Sequence, residues 1–287
     1  MPLVSAAIIT HNRAHYLDDA ISSVLGQSFR DLELIVVDDG STDGTPDLLD
    51  RYDDPRIRYV RREHRGKAVS RNTAVELAQG ELIAFCDSDD WWVPGRLERE
   101  LAALERNPHV GMVHGQVELV DEDGRPLPEE TAAHGAIFSA AHRNGATYAS
   151  YAFNCCCLSS TILVRREVFD TVGPYDSELP IEDYDFYLRL VLDYEVLFLD
   201  SPPLAWYRMH QDKTGDQVLG AGQIRTAEKH LALLDERADI PDARLARRNF
   251  NLMIARTWRV LGDRRRARAA ALRALRLGAP QAIRFAL

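Results

Sequence analysis

The sequence predicts an α/β fold in which a mostly parallel central sheet is flanked by helices and followed by a C-terminal helical extension. Three observations support this prediction. Short, nearly continuous apolar runs alternate with helical patterns, polar clusters follow the ends of these runs, and the chain beyond about residue 215 has a helical pattern. At 287 residues the chain is long enough for one large domain with an appendage or for two modest domains.

The alternation is clearest in the first 107 residues, where short strands are predicted at 5–10, 32–37, 57–60 and 82–86. Helices are predicted after the first three strands, because apolar residues there recur at helical spacing. The first, second and fourth strands end at polar clusters. Since open α/β sheets bind ligands at the carboxyl ends of their strands, this edge is the expected ligand site.

After Asn107-Pro108 the pattern weakens. We expect a strand at 110–120, an irregular stretch at 125–150, a strand at 161–164, a helix at 182–192 and a last strand at 196–199. In the tail, helical segments at 250–260 and 264–277 resemble one hairpin of a tetratricopeptide array, which needs at least about three repeats. The tail is interpreted as a helical cap on the preceding domain or, alternatively, as a docking surface.

Charge and composition exclude some functions. The formal charge is −9, from 35 basic and 44 acidic residues, so no nucleic-acid partner is expected. The cysteines, Cys86 and Cys155-Cys156-Cys157, have the spacing of neither a disulfide framework nor a zinc site. No leader or membrane span is indicated, so we expect a cytoplasmic protein. Peripheral contact with anionic lipid at the inner face of the membrane is a hypothesis for the Arg-rich C-terminal helix, which contains Arg264, Arg265, Arg266, Arg268, Arg273 and Arg276.

Three carboxylates lie within four residues at the end of the fourth predicted strand, in Asp87-Ser88-Asp89-Asp90. Their mutual repulsion is costly unless a cation or several hydrogen-bond donors neutralise it. Mg²⁺ or Mn²⁺ is typically bound by one or two such carboxylates together with substrate phosphates and water. Taken alone, the motif is also consistent with a solvated acidic turn or with the cap of the next helix.

Other polar clusters have the chemistry of a phosphate-bearing ligand. Asp38-Asp39 follows the second strand and offers acceptors to a nucleobase N–H or a ribose hydroxyl, although Asp-Asp-Gly-Ser is also typical of a helix N-cap and turn. Glu182-Asp183 opens a predicted helix, where the dipole favours acidic residues, but two adjacent carboxylates also suit a general base. His210 is a lone histidine, and such residues are more often structural. A basic segment lies between the acidic sites and contains Arg61, Arg62, His64, Arg65, Lys67 and Arg71.

Taken in order, these motifs resemble the family 2 glycosyltransferases, which have the GT-A fold with its Rossmann-like sheet. The resemblance covers most of the chain except the tail. One departure is Ile9-Thr10-His11-Asn12, where the family usually has Pro-Thr-Tyr-Asn, so that an imidazole replaces the phenol that stacks on the base. The matching motifs are Gln27-Ser28-Phe29, Val37-Asp38-Asp39-Gly40-Ser41, Ser70-Arg71-Asn72, Asp87-Ser88-Asp89-Asp90-Trp91-Trp92, Glu182-Asp183-Tyr184-Asp185 and Tyr207-Arg208-Met209-His210.

The resemblance implies a glycosyltransferase domain at 1–215, with a nucleotide-binding half at 1–107 and an acceptor half at 108–215, and a helical region at 216–287. It implies that Asp183 is the catalytic base, supported by Glu182. Asp89 would ligate the metal that bridges the two phosphates, with help from His210. The nucleotide-sugar site would comprise Thr10, His11, Asn12, Arg13, Asp39, Lys67, Arg71, Asp87 and Ser88.

The implied function is Mn²⁺- or Mg²⁺-dependent transfer of a hexose-type sugar, with inversion, from a nucleotide diphosphate sugar. A UDP-sugar is favoured as donor, and the acceptor would be a saccharide, lipid-linked or other hydroxyl. The implied setting is bacterial-type synthesis of cell-surface polysaccharide or glycoconjugate. The sequence does not fix the oligomeric state.

Two other functions use similar residues. A sugar-phosphate nucleotidyltransferase normally has a glycine-rich loop after its first strand, whereas Thr10-His11-Asn12-Arg13 contains no glycine. A non-catalytic nucleotide-binding or partner-docking protein would not need all the motif acids, which are present here.

Overall fold

The computed structural model describes residues 2–142, 145–153, 157–211, 215–237 and 239–286. In these residues, a seven-stranded central sheet and a small three-stranded sheet are covered by helices. The central sheet is mainly parallel, which confirms the predicted α/β fold.

The first half alternates strands and helices, as the sequence predicts. Its elements are β1 (Val4–Thr10), α1 (Ala14–Leu25), β2 (Leu32–Asp38), α2 (Thr45–Leu49), β3 (Ile57–Arg61), α3 (Lys67–Leu77), β4 (Leu82–Asp87), β5 (Trp91–Trp92) and α4 (Arg96–Arg106).

The second half is less regular and leads into a helical tail. It contains β6 (Val110–Gly115), β7 (Val117–Val120), α5 (Pro128–His142), α6 (Tyr148–Tyr151), a 3₁₀ turn (Ser159–Thr161), β8 (Leu163–Arg165), α7 (Glu167–Val172), α8 (Glu182–Asp193), β9 (Glu195–Leu199) and β10 (Ala205–Arg208). The tail contains α9 (Asp216–Glu236), α10 (Ala243–Val260), α11 (Arg264–Arg276), a 3₁₀ turn (Pro280–Ala282) and α12 (Ile283–Ala286).

The strand order of the central sheet brings three strand ends together. The order is β3-β2-β1-β4-β8-β6-β9, and β1 is parallel to both β2 and β4. The carboxyl ends of β1, β2 and β4 therefore lie side by side at one edge. The small sheet has the order β5-β10-β7, so the chain that follows β10 lies close to the loop after β4.

Buried side chains form one core on each face of the central sheet. Within β1, Ala7 belongs to one core and Ile8 to the other. Burial of both faces explains why these strands read as unbroken apolar runs. Phe186 on α8 and Phe250 on α10 are both fully buried in the core that contains Ala7. The helical tail thus shares a core with the second half of the chain, as expected of a helical cap.

Two expectations about local structure were wrong. The stretch at 125–150 is not irregular, because it contains the fifteen-residue helix α5. Phe138 is the one buried residue of α5, so the sequence there lacks the apolar stripe that reveals a helix. The strand expected at 110–120 is two strands, because the chain crosses from the central sheet to the small one at Gln116.

None of the described helices combines the length and the apolar character needed to cross a membrane. Cys86 and Cys157 are buried free thiols. Cys155 and Cys156 lie outside the described residues.

Candidate active site

The candidate site lies where the loops after β1, β2 and β4 meet. Thr10 pairs in register with Asp38, and Ile9 pairs with Asp87. The polar clusters that follow these strands are therefore neighbours across the sheet edge. Asn12 ties the first two loops together, since its backbone N–H donates to Ser41 and its side-chain oxygen accepts from the backbone N–H of Thr42 at 2.7 Å.

The three carboxylates after β4 lie close together but have different partners. Asp87, Asp89 and Asp90 each have an oxygen within 4.8 Å of the others. Asp90 is fully buried and accepts hydrogen bonds from the Ser160 hydroxyl at 2.6 Å and the Arg208 backbone N–H at 3.1 Å. These contacts indicate that Asp90 anchors the loop in the core. The alternative that the motif caps the next helix is wrong, because the N-cap of α4 is Gly95 and accepts no side-chain hydrogen bond.

Asp89 and His210 have the chemistry of metal ligands. His210 Nε2 lies 2.8 Å from Asp89 Oδ2, and its side chain is fully shielded from solvent. His210 Nδ1 is buried and has no hydrogen-bond partner among the described residues. Adjacent ligands of an octahedral ion with bonds of about 2.1 Å lie about 3 Å apart. The spacing of these two atoms therefore fits two neighbouring positions around a divalent ion.

A buried arginine links the carboxylate cluster to the second acidic motif. Arg71 donates to Asp87 Oδ1 and to Glu182 Oε1, both at 2.9 Å. Its guanidinium also lies 5.1 Å from the centroid of the Phe85 ring. Burial alone lowers the pKa of Arg71, but the charges of Asp87 and Glu182 outweigh burial and hold the pKa well above its usual value. Arg71 thus remains a cation at the centre of the site.

Asp183 is a carboxylate prepared to accept a proton near neutral pH. Burial and the neighbouring Glu182 raise the pKa of Asp183 to about 6, against the opposing charges of Arg71 and Lys67. Its Oδ1 accepts the backbone N–H of Tyr184 at 2.7 Å, and its Oδ2 lies 3.4 Å from the Ser159 hydroxyl. A base with this pKa is ionised at pH 7 and can hold a proton during a reaction.

The end of the site formed by β1 and β2 is organised around Asp39. Its two oxygens accept the backbone N–H groups of Arg65 and Gly66 at 3.0 and 2.8 Å. The rings of His11 and His64 stack with centroids 4.2 Å apart, and His11 Nδ1 lies 2.8 Å from the carbonyl oxygen of Asp39. Asp39 therefore holds the loop before α3 in place, and its predicted contact with a nucleobase remains a prediction.

The remaining residues predicted for the nucleotide-sugar site occupy the same region. Thr10 is buried, and its hydroxyl has no hydrogen-bond partner among the described residues. Ser88 is buried in the loop after β4, and Arg13 immediately precedes α1. Lys67 is the first residue of α3, and its charge acts on Asp183.

Arg208 and Ser160 are site residues that reasoning from the sequence did not assign. Arg208 donates to the backbone carbonyl of Asp89 at 3.1 Å and to Asp19 at 2.6 Å, with its guanidinium over the rings of Tyr16 and Trp91. The Ser160 hydroxyl lies 3.0 Å from the backbone nitrogen of Asp87. Arg208 lies two residues before His210. This proximity in sequence is the signal from which a place for Arg208 at the site could have been predicted.

The edge of the mainly parallel sheet thus brings together clustered carboxylates, a buried cation and a carboxylate of raised pKa. This combination suits a phosphate-bearing ligand. Comparison with known proteins identifies the family to which the chain belongs. Residues 5–173 match the family model described as glycosyl transferase family 2. The chain therefore belongs to glycosyl transferase family 2, and the resemblance seen in the sequence is confirmed.

Curated relatives match part of the chain. A putative teichuronic acid biosynthesis glycosyltransferase, TuaG of Bacillus subtilis, is 43% identical over 129 residues, which cover 44% of this chain and 51% of TuaG. The Escherichia coli UDP-Glc:alpha-D-GlcNAc-diphosphoundecaprenol beta-1,3-glucosyltransferase WfgD is 36% identical over 122 residues, which cover 42% of this chain and 48% of WfgD. The chain thus spans about half the length of these relatives.

Solved structures share the fold across the whole chain. TarS 1-349 of S. aureus, in complex with UDP-GlcNAc, has a TM-score of 0.69 at 19% identity and covers 99% of this chain and 84% of its own. The mannosyltransferase PcManGT of Pyrobaculum calidifontis, in complex with GDP-Man and Mn²⁺, has a TM-score of 0.64 at 24% identity and covers 99% and 78%. At these identities the likeness establishes the fold alone.

Proposed function

We propose that the protein is a metal-dependent, inverting glycosyltransferase that moves a sugar from a nucleotide diphosphate sugar to an acceptor hydroxyl. One observation supports the proposal above all others. A candidate metal pair, Asp89 and His210, and a carboxylate of raised pKa, Asp183, lie at the same sheet edge and are connected through Asp87, Arg71 and Glu182.

The residues near Asp89 fit a divalent cation. Asp89 and His210 would hold it, with Asp87 close enough to contribute an oxygen. A mixture of carboxylate and imidazole ligands suits Mn²⁺ at least as well as Mg²⁺. When bound, the cation supplies positive charge that stabilises the departing diphosphate. Arg71 adds a second, permanent positive charge beside Asp87.

Asp183 acts as the general base in this proposal. An acceptor oxygen attacks the anomeric carbon of the sugar, the bond from that carbon to the diphosphate oxygen breaks, and Asp183 takes the proton of the acceptor hydroxyl. A single displacement of this kind inverts the anomeric configuration. The Tyr184 backbone N–H and the Ser159 hydroxyl orient the carboxylate, while Glu182 keeps its pKa high.

A UDP-sugar is the favoured donor. WfgD is named for UDP-Glc, and TarS was solved with UDP-GlcNAc and with UDP. Because TuaG and WfgD are named for teichuronic acid and for a lipid diphosphate acceptor, we assign the protein to synthesis of bacterial cell-surface polysaccharide or glycoconjugate. This role is consistent with a cytoplasmic protein that contacts the inner face of the membrane through α11.

Two measurements test the proposal. Thermal melting with a panel of nucleotide sugars, with and without Mn²⁺, should identify the donor, because a ligand that binds the native state raises the melting temperature. Incubation of that donor with an acceptor panel should then release the nucleoside diphosphate. Release of pyrophosphate from a nucleoside triphosphate and a sugar 1-phosphate would instead indicate nucleotidyl transfer. Binding of the nucleotide sugar without any release would indicate a non-catalytic protein.

A further inference from the structure

A cavity of about 150 Å³ opens beside Asp183, between the second half of the chain and the helical tail. Asp183 lines it together with Phe153, Leu219 on α9, and Met253 and Arg256 on α10. Pockets that bury most of a drug-sized ligand usually measure about 300–1,000 Å³. This cavity can therefore take only part of an acceptor, and the rest of the acceptor must continue past the cavity mouth.

The helices of the tail form a fixed wall of the cavity. Lys229 Nζ and His230 Nε2 on α9 lie 2.8 and 3.1 Å from the buried Asp185 Oδ1, two residues after Asp183. At Gly222 the backbone of α9 approaches Ile181 so closely that an added Cβ would lie 2.4 Å from Ile181 Cγ1. Asn249 on α10 donates to the Ala149 carbonyl oxygen at 2.7 Å. These contacts hold α9 against α8, which carries Asp183, and hold α10 against α6.

Arg256 is a cation in this wall that is not part of an ion pair among the described residues. Its guanidinium lies 5.7 Å from the centroid of the Phe153 ring. The other arginine near the base, Arg71, is already paired with two carboxylates. A partly buried guanidinium binds phosphate or carboxylate well, because its donors form a planar fork.

The surface around Arg256 is apolar. Phe153 and Leu219 are large hydrophobic side chains that are each 38% exposed, and Val218 beside them on α9 is 50% exposed. A neutral, freely soluble sugar would use neither the cation nor the apolar surface. An acceptor with a phosphate next to an apolar chain would use both.

We propose that the acceptor is a sugar carried on a lipid phosphate or diphosphate, with its hydroxyl at Asp183, its phosphate on Arg256 and the start of its lipid chain on Phe153 and Leu219. This inference rests on the proposed function and narrows it to one class of acceptor. It also gives the helical tail a role in the active site, because Arg256 and Leu219 belong to the tail.

The test uses three acceptors built on one sugar: an alkyl glycoside, the sugar 1-phosphate and the alkyl diphosphate glycoside. Arg256→Gln should raise KM about tenfold or more for both phosphate-bearing acceptors, which is the effect of losing a charge-assisted hydrogen bond. With the alkyl glycoside, which carries no phosphate, the Arg256→Gln variant should show much smaller changes in kcat and KM. Arg256→Lys should recover part of the loss. Arg259→Gln is the matched control, because Arg259 is exposed on α10 and does not line the cavity.

A second variant separates lipid carriers from soluble sugar phosphates. Phe153→Ser should raise KM for the alkyl diphosphate glycoside and leave that for the sugar 1-phosphate unchanged. The inference would be overturned if the wild type had the same kcat/KM for neutral and phosphate-bearing acceptors. It would also be overturned if Arg256→Gln raised KM equally for all three acceptors while its melting temperature stayed unchanged.

A binding measurement keeps this inference distinct from the proposed function. Calorimetric titration of the alkyl diphosphate glycoside into the protein with UDP and Mn²⁺ should show binding that Arg256→Gln weakens. If that binding is found but no donor is turned over, the acceptor site stands and the proposed reaction fails. If turnover is found with neutral acceptors only, the reaction stands and the acceptor inference fails.

Discussion

The raised pKa of Asp183 predicts how the transfer rate depends on pH. Burial and Glu182 raise this pKa from its usual 3.8 to about 6. Only the ionised carboxylate can accept a proton, so activity should rise with pH through about 6 and level off above about 7. At pH 5 about one enzyme molecule in eleven would carry the active form, which gives roughly a tenth of the plateau value of kcat/KM.

Two substitutions should move this acidic limb in opposite directions. Glu182→Gln removes a negative neighbour that raises the pKa of Asp183, so the limb should move to lower pH. Lys67→Gln removes a positive neighbour that lowers it, so the limb should move to higher pH. The assay measures release of nucleoside diphosphate from about pH 4.5 to about pH 8, which is roughly 1.5 to 2 units on either side of the expected limb. Mn²⁺ and donor are kept saturating at every pH.

Asp183→Asn is the control for stability. Because the pKa of Asp183 is higher in the folded than in the unfolded chain, the ionised side chain costs stability above about pH 6. The Asp183→Asn protein should therefore melt at an equal or higher temperature than the wild type at about pH 7.5, which is above the expected pKa of about 6.

The pH profile can refute the assignment of Asp183 as the base. An acidic limb near pH 4 in the wild type would do so, as would an acidic limb that Glu182→Gln does not move.

Three further predictions concern binding and stability. Asp89→Ala should weaken Mn²⁺-dependent donor binding at least tenfold, as measured by calorimetry. Asp90→Ala should lower the free energy of unfolding by about 1–3 kcal/mol, as measured by urea denaturation, because it leaves the buried donors of Ser160 and Arg208 without an acceptor. Loss of stability in Asp89→Ala together with loss of donor binding in Asp90→Ala would contradict the assigned roles. Arg71→Met leaves Asp87 and Glu182 unpaired and should cost about 3–5 kcal/mol of stability; a loss below about 1 kcal/mol would mean that the pairs contribute little. Contact of α11 with lipid predicts binding to anionic vesicles that weakens as salt increases, and equal binding to neutral vesicles would exclude it.

The sheet edge could be predicted because its signals are local in sequence. β1, β2 and β4 are buried on both faces, so each is an unbroken apolar run that ends at a polar cluster. Parallel pairing then requires that Thr10, Asp38 and Asp87 lie near one another. Helix α5 could not be predicted, for the opposite reason. It has one buried side chain, so its apolar residues do not recur at helical spacing.

The anchoring role of Asp90 and the link between Arg71 and Glu182 could not be read from the sequence. The two partners that make Asp90 an anchor lie 70 and 118 residues away, and Arg71 meets Glu182 across 111 residues. The cavity beside Asp183 likewise depends on Arg256, in a tail that matches no motif of the family. Long-range contacts of this kind follow from the packing of elements, whereas residue spacing reports only on neighbours along the chain.

The most direct test of Asp183 as the general base compares wild type with Asp183→Asn in one experiment. Both proteins are given Mn²⁺, the nucleotide sugar found by thermal melting, and an acceptor used by the wild type. We expect the variant to bind the donor with wild-type affinity, yet to release no nucleoside diphosphate above the rate seen without acceptor. Wild-type turnover by Asp183→Asn would show that this carboxylate does not take the proton from the acceptor.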